Sequence, residues 1–180
     1  MPRTEIALLR GINVGTAKRI AMADLKKVVE KLGYGDVRTL LNSGNVVFTV
    51  PAAARGDSAA RIEEAIQARF GFSARVTVFT AAELAAVVAE EPLSKLADNP
   101  SLYLVGFLNR AADGKLLQPL TRQKWTPGAL ALGKRVAYLW CPEGSLKSPL
   151  AIAANRALKD AVTVRNWATV TKLHALAGKA

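Results

Sequence analysis

The residues best suited to chemistry in this chain fall in two short polar segments and one arginine beside a helix start. Arg10 is followed by Gly11, Asn13 and Gly15 in "RGINVG", directly after the apolar run "IALL". Glycine tolerates positive φ and lets backbone amides approach another group closely, so this spacing suits a loop that cradles an anion. The second segment, Asn42-Ser43-Gly44-Asn45, has the composition of a tight hairpin turn with three polar side chains on it. Arg165 directly precedes Asn166, a helix-capping residue type. A positive charge there opposes the helix dipole unless an anion or carboxylate is near. Trp167 reads as a core anchor of that helix rather than a stacking platform, and Thr169 as part of its cap.

Other chemistries find no residues to carry them. "GINVG" lacks the G-x-G-x-x-G spacing of a dinucleotide loop, and no G-x-x-x-x-G-K-[ST] occurs. The single histidine, His174, falls on an apolar helical stripe four residues after Val170 and reads as a core residue. The single cysteine, Cys141, ends the strand "AYLW" and reads as buried and inert. Carboxylates are few and none share a face at metal spacing, so no metal and no cofactor are expected. Whether any reaction is catalysed is left open by these residues.

At 180 residues and 51% hydrophobic, the chain is long enough to bury a core without disulfides or metals. One cysteine excludes an internal disulfide, and no run of about 18 apolar residues suggests a membrane span, so a cytoplasmic location is expected. The formal charge of +11 is uneven, with 12 Lys or Arg against 9 Asp or Glu in residues 1–90 and 13 against 5 in residues 91–180. Such an excess attracts nucleic acid or anionic metabolites, and it also keeps a protein soluble.

Periodicity supplies the elements that must hold these residues. "EIALLRG" reads as a strand, and Met22, Leu25, Val28, Val29 and Leu32 recur at helical spacing up to Gly33. "DVRTLLNSGNVVFTV" reads as a hairpin, Ser58 as the cap of a helix ending at Gly71, and "ARVTVF" as a fourth strand. Thr80 and Glu83 form a capping-box pattern ahead of a further helix that Pro92 ends. After "DNP" the order recurs: strand "SLYLVGFL", a poor helix interrupted at Pro119, a hairpin turning at Gly133-Lys134, a helix opened by Ser148-Pro149, strand "AVTV" and a last helix. The expectation is an α+β chain of two tandem ferredoxin-like (βαββαβ) subdomains, each followed by an extra helix, over residues 1–92 and 99–180. Strand order 4-1-3-2 then puts strands 1 and 2 on either side of strand 3, running the same way. Loop 10–15 and turn 42–45 share one end of the sheet, about 10 Å apart, with Lys18 and Arg19 nearby.

Four segments, "ALLRGINVG", "MADLKKVVEKLGY", "VRTLLNSGNVVF" and "VRNWATVTKL", resemble the bacterial domain-of-unknown-function 1697 family, in this order and across essentially the whole chain. The resemblance implies a cytosolic α+β protein of two ferredoxin-like subdomains and no established activity. This chain has Thr16 where that family often carries a second glycine after the Val-Gly of its first loop.

Two functions from different classes fit. The preferred one is binding of a small phosphate- or carboxylate-bearing ligand by Arg10, Gly11, Asn13, Gly15, Asn42, Ser43 and Asn45, completed by Arg165 if the halves fold over each other. The alternative is a nucleic-acid-binding module in which Lys115, Arg122, Lys124, Lys134 and Arg135 contact phosphates and an exposed sheet face serves as a platform. Against it, the strand "GNVVFTV" offers one aromatic, Phe48, for stacking.

Overall fold

The computed structural model describes residues 1–179. Its element order is β1 (Arg3–Leu9), α1 (Met22–Lys31), β2 (Gly35–Leu40), β3 (Asn45–Val50), α2 (Ser58–Phe70), β4 (Val76–Thr80) and α3 (Ala81–Ala89). It continues through β5 (Tyr103–Leu108), a 3-10 stretch Ala111–Leu117, α4 (Gln118–Thr121), β6 (Ala129–Leu132), β7 (Val136–Trp140), α5 (Pro149–Leu158), β8 (Val162–Asn166) and α6 (Trp167–Ala177). The fold is α+β, with two four-stranded antiparallel sheets ordered β2-β3-β1-β4 and β6-β7-β5-β8. Among the described residues no helix is long and apolar enough to cross a membrane.

Two compact units divide the chain: Met1–Leu84 with Leu173–Ala180, and Ala85–Lys172. The division therefore falls inside α3 rather than in the "DNP" segment, and the end of α6 groups with the first unit. Arg38 of β2 makes one such tie, its Nη1 donating to the Leu176 carbonyl at 3.3 Å.

In the first unit α1 and α2 cover one face of the sheet. Leu25 and Val29 of α1 and Ile62 and Ile66 of α2 are buried against Ala7, Leu9, Val46, Phe48 and Val76. Burying each such aliphatic or aromatic side chain contributes about 1.5–3 kcal/mol, so this layer fixes the sheet against its helices. In the second unit α5, through Leu150, Ala154 and Leu158, packs with Leu117 against Leu108, Ala137, Leu139 and Val162.

Local signals explain most boundaries. Thr80 and Glu83 form the expected reciprocal cap of α3, Glu83 N donating to Thr80 Oγ1 at 3.1 Å and Thr80 N to Glu83 Oε2 at 2.8 Å. Ser148 caps α5, and Gly71 closes α2 in the left-handed region at φ 77°. Two expectations are corrected. Asp57, not Ser58, caps α2, its Oδ1 accepting from Ala59 N at 3.1 Å, because Ser58 is already the first helical residue. The poor helix around Pro119 resolves into a 3-10 stretch followed by the single turn α4, since proline is accepted only in a first turn.

Candidate functional site

β1 and β2 both run antiparallel to β3, so the loop leaving β1 and the turn leaving β2 emerge at the same end of the first sheet. Leu9 N donates to Gly44 O at 2.8 Å and seats the turn beside the loop. Asn13 ties the two together. Its Nδ2 donates to the Asn42 carbonyl at 2.7 Å and to the Ile20 carbonyl at 2.9 Å, while its Oδ1 accepts from Ile20 N at 2.9 Å. One asparagine thus closes its own loop and binds it to the hairpin. The loop is built from left-handed residues: Gly11 at φ 67°, Asn13 at 55°, Gly15 at 63° and Lys18 at 50°. That need for positive φ accounts for both glycines and the asparagine.

The hairpin turn is Leu41 to Gly44, with Leu40 paired to Asn45. Gly44 has φ 80°, and a Cβ there would stand 2.7 Å from Ile12 Cδ1 and 2.8 Å from Leu9 Cβ, so only glycine fits. Asn45 is fully buried, its Nδ2 donating to the Leu40 carbonyl at 2.7 Å and to Ser43 Oγ at 2.9 Å. Arg10 is half-buried, and its backbone N–H donates to the Arg75 carbonyl at 2.9 Å. Lys18 Nζ donates to the Ser73 carbonyl at 3.0 Å.

A depression of about 350 Å³ opens here, lined by Asn13, Arg19, Ile20, Ala21 and Asn42. Arg19 is exposed. Ala21 is the N-cap of α1 and supplies no side-chain cap. The first amides of a helix carry roughly half a positive charge, and alanine offers them no side-chain acceptor; Asp24 N instead donates to the Ala21 carbonyl at 3.0 Å, and Asp24 in the first turn offsets part of that charge. The depression therefore joins a guanidinium, a helix's positive end and the polar backbone around Asn42. Asn13 and Asn42 of the sequence-derived set line it directly; Asn45 and Ser43 shape the turn behind it. Arg19 was placed near that set but outside it, and Ile20 and Ala21 were not anticipated; the signal for the last two was the missing Ser, Thr, Asp or Asn before Met22.

The remaining singled-out residues belong to the second unit or stand apart. Arg165 lies within β8, opposite Val105 in the register, rather than just past the end of the strand "AVTV". Burial pushes its guanidinium pKa down to about 10. Asn166 ends that strand and caps α6, its Oδ1 accepting from Thr169 N at 2.9 Å. Trp167 stacks on Tyr103, ring centroids 5.3 Å apart, as a packing anchor. Lys115, Arg122, Lys124 and Lys134 are exposed, whereas Arg135 donates from Nε to the Leu108 carbonyl at 3.0 Å. These five do not form one group, since Arg122 and Lys124 precede β6 and Lys134 and Arg135 follow it.

The open sheet platform is not there. Phe48 is fully buried and stacked on Tyr34 at 4.8 Å, and Ile6, Leu8, Val47 and Phe79 on the opposite face are buried as well. In the second sheet Tyr103, Phe107, Tyr138 and Trp140 are buried too. Both faces carry core residues, so aromatic rings are not offered to bases.

The described residues contain no group of three or more His, Cys, Asp or Glu placed to hold a metal ion. Cys141 is buried, and burial pushes its thiol pKa up against the lowering effect of a hydrogen bond with Ser148. His174 is half-buried on α6. One titratable cluster escaped the sequence reading. Tyr103 OH donates to Glu91 Oε1, which also accepts from Leu93 N, and Tyr138 OH donates to the Val87 carbonyl at 2.8 Å. Burial first, then the bond to Glu91, pushes the Tyr103 hydroxyl well above its ordinary range. Burial, aided by the charges of Glu90 and Glu91, pushes Tyr138 up to about 12. Both hydroxyls stay protonated at neutral pH and act as donors that tie the end of α3 and the following segment to the sheet.

A comparison with solved structures agrees with this architecture. A solved structure of a conserved bacterial protein from Streptococcus pneumoniae is similar over 98% of this chain and 99% of that one, with a TM-score of 0.77 at 19% identity. That likeness shows the fold. No curated protein matches the chain in sequence. The family model described as "Protein of unknown function (DUF1697)" matches residues 3–138, a span that includes "RGINVG" and the Asn42–Asn45 turn and stops short of "VRNWATVTKL". The chain belongs to that DUF1697 family.

Proposed function

We propose that each half of the chain is a ferredoxin-like unit and that the first binds a small phosphate- or carboxylate-bearing molecule at its loop end. The βαββαβ succession and the strand order β2-β3-β1-β4, which reads 4-1-3-2 from the other edge, support the first part. The observation that carries the second is the depression in which exposed Arg19, the uncapped start of α1 and Asn42 meet. A charge-assisted bond from Arg19 is worth about 1.5–3 kcal/mol to an anion, and a helix N-terminus about 0.3–1 kcal/mol more. Together these approach the roughly 4 kcal/mol of a millimolar complex. Inorganic phosphate alone should therefore bind weakly, with the rest of a natural ligand adding affinity over Asn13, Ile20 and Ala21. No carboxylate or histidine lines the depression, so the reading ends at binding.

The test is a thermal melt with and without a panel of small phosphorylated and carboxylated compounds. A ligand that binds only the folded chain raises the midpoint. Arg19→Ala should leave the ligand-free midpoint within about 1 °C, because an exposed side chain contributes little to stability, and should abolish most of the ligand-induced rise. Arg10→Ala should lower the ligand-free midpoint as well, since Arg10 is half-buried at the root of the loop. A rise that survives intact in both variants would remove the site from consideration.

A further inference from the structure

The second unit has a polar end of its own, charged in a different pattern. β5 and β6 both run antiparallel to β7, so the loop after β5 and the turn after β6 lie at the same end of that sheet. Direct bonds join them: Leu108 N donates to the Arg135 carbonyl and Arg135 Nε donates to the Leu108 carbonyl, each at 3.0 Å. On the other flank of β5, Asn109 N donates to the Ala161 carbonyl and Asn109 Nδ2 to the Asp160 carbonyl, each at 2.9 Å. These bonds bring the segment carrying Lys159 to the same end. A Cβ on Gly114 would meet Leu108 Cδ1 at 3.6 Å, so Lys115 follows a residue seated against this strand end.

Five cations thus share one end of the sheet: Lys134 and Arg135 on the β6 side, Arg110 and Lys115 after β5, and Lys159 beside β8. The order β6-β7-β5-β8 spreads them across three strand spacings, about 14 Å. The acids among them are Asp113, 4% exposed and held by Arg110 through a 2.9 Å bond, and Asp160. A single small anion cannot touch cations spread so widely; a chain of phosphates can. The aromatic residues of the sheet are buried, which leaves bases no stacking platform and makes the contact one with the backbone.

We propose that this end of the second unit binds the phosphate backbone of single-stranded nucleic acid without reading its sequence. Four exposed cations, Arg110, Lys115, Lys134 and Lys159, set the expected salt dependence. Neutralising about four phosphates of a single strand gives a slope of log K against log salt near −3, roughly a fifty-fold loss between 50 and 200 mM. Arg122 and Lys124 serve as the internal control, because they are exposed and basic yet lie before β6 rather than at this end.

The experiment is fluorescence polarization of a labelled oligouridine of fifteen nucleotides with the full chain at 50 and 200 mM NaCl. The Lys134→Glu, Lys159→Glu double variant should bind at least ten-fold more weakly and with a shallower salt slope. Lys115→Gln with Lys134→Gln should move both quantities the same way, a second reading if the charge reversals disturb folding. Arg122→Glu with Lys124→Glu changes the net charge equally and should stay within about three-fold of the parent. Equal loss in the two charge-reversed variants would reduce the effect to overall charge and overturn the proposal, as would no binding at 50 mM, or tighter binding to a duplex of the same length.

Discussion

Gly44 and Asn13 decide whether the loop end exists at all. Gly44→Ala must place a methyl 2.7 Å from Ile12 Cδ1 at a left-handed φ, combining overpacking with backbone strain, and should cost about 2–4 kcal/mol in urea unfolding. Asn13→Ala removes three hydrogen bonds that close the loop and should cost about 1–3 kcal/mol, with the depression lost as well. Tyr138 gives a pH signature. Its folded pKa, pushed up to about 12 from an ordinary 10, means the folded chain holds the proton more tightly. The stability from that difference is fully present below pH 10 and is lost as pH rises toward 12, on the order of 1–3 kcal/mol. Urea titrations between pH 8 and 12 should show the decline, smaller in Tyr138→Phe. The residue types of the loop end were legible in sequence, because glycine and asparagine announce positive φ. Their partners were not: that Asn45 turns inward to Leu40 and Ser43 while Asn13 reaches Asn42 depends on which carbonyls the folded turn leaves without a ladder partner.

Elements were legible where a local rule governs them. The Thr80–Glu83 cap, the Gly71 stop of α2 and the Ser148-Pro149 start of α5 follow from chemistry within a few residues. The cap of α2 did not, since Asp57 and Ser58 are both good capping residues and only the backbone decides which stands outside the helix. Asp57→Ala should therefore destabilise the first unit by about 1 kcal/mol through loss of its bond to Ala59 N, a change that chemical denaturation can resolve. Arg165 illustrates the same limit. The pattern "AVTV" predicts a strand that ends at Val164, just before Arg165, but β8 runs through Arg165 and Asn166 before α6 begins, because pairing with β5 continues to Leu104. Hydrogen bonding across a sheet is set by the partner strand, which sequence proximity does not show.

At the scale of the whole molecule, the α+β class and the doubled βαββαβ order could be read from periodicity, and so could the placing of loop 10–15 and turn 42–45 at one sheet end. What periodicity could not supply was the depth of burial. The nucleic-acid alternative needed an exposed sheet face, whereas Val46, Val47 and Phe48 are all buried. The +11 charge likewise did not say where its cations gather, and strand order places Lys134 and Arg135 with Lys159 but not with Arg122 and Lys124. The central claim is narrower than either: a small anion binds where Arg19, the start of α1 and Asn42 meet. Its most direct measurement is a two-dimensional amide NMR titration of the full chain with inorganic phosphate, followed by the best compound from the melting panel. The expected result is a saturable shift of the Asn13, Arg19, Ile20, Ala21, Met22 and Asn42 amides, weakened ten-fold or more in Arg19→Ala. Shifts that never saturate, that fall elsewhere in the chain, or that persist unchanged in Arg19→Ala would contradict it.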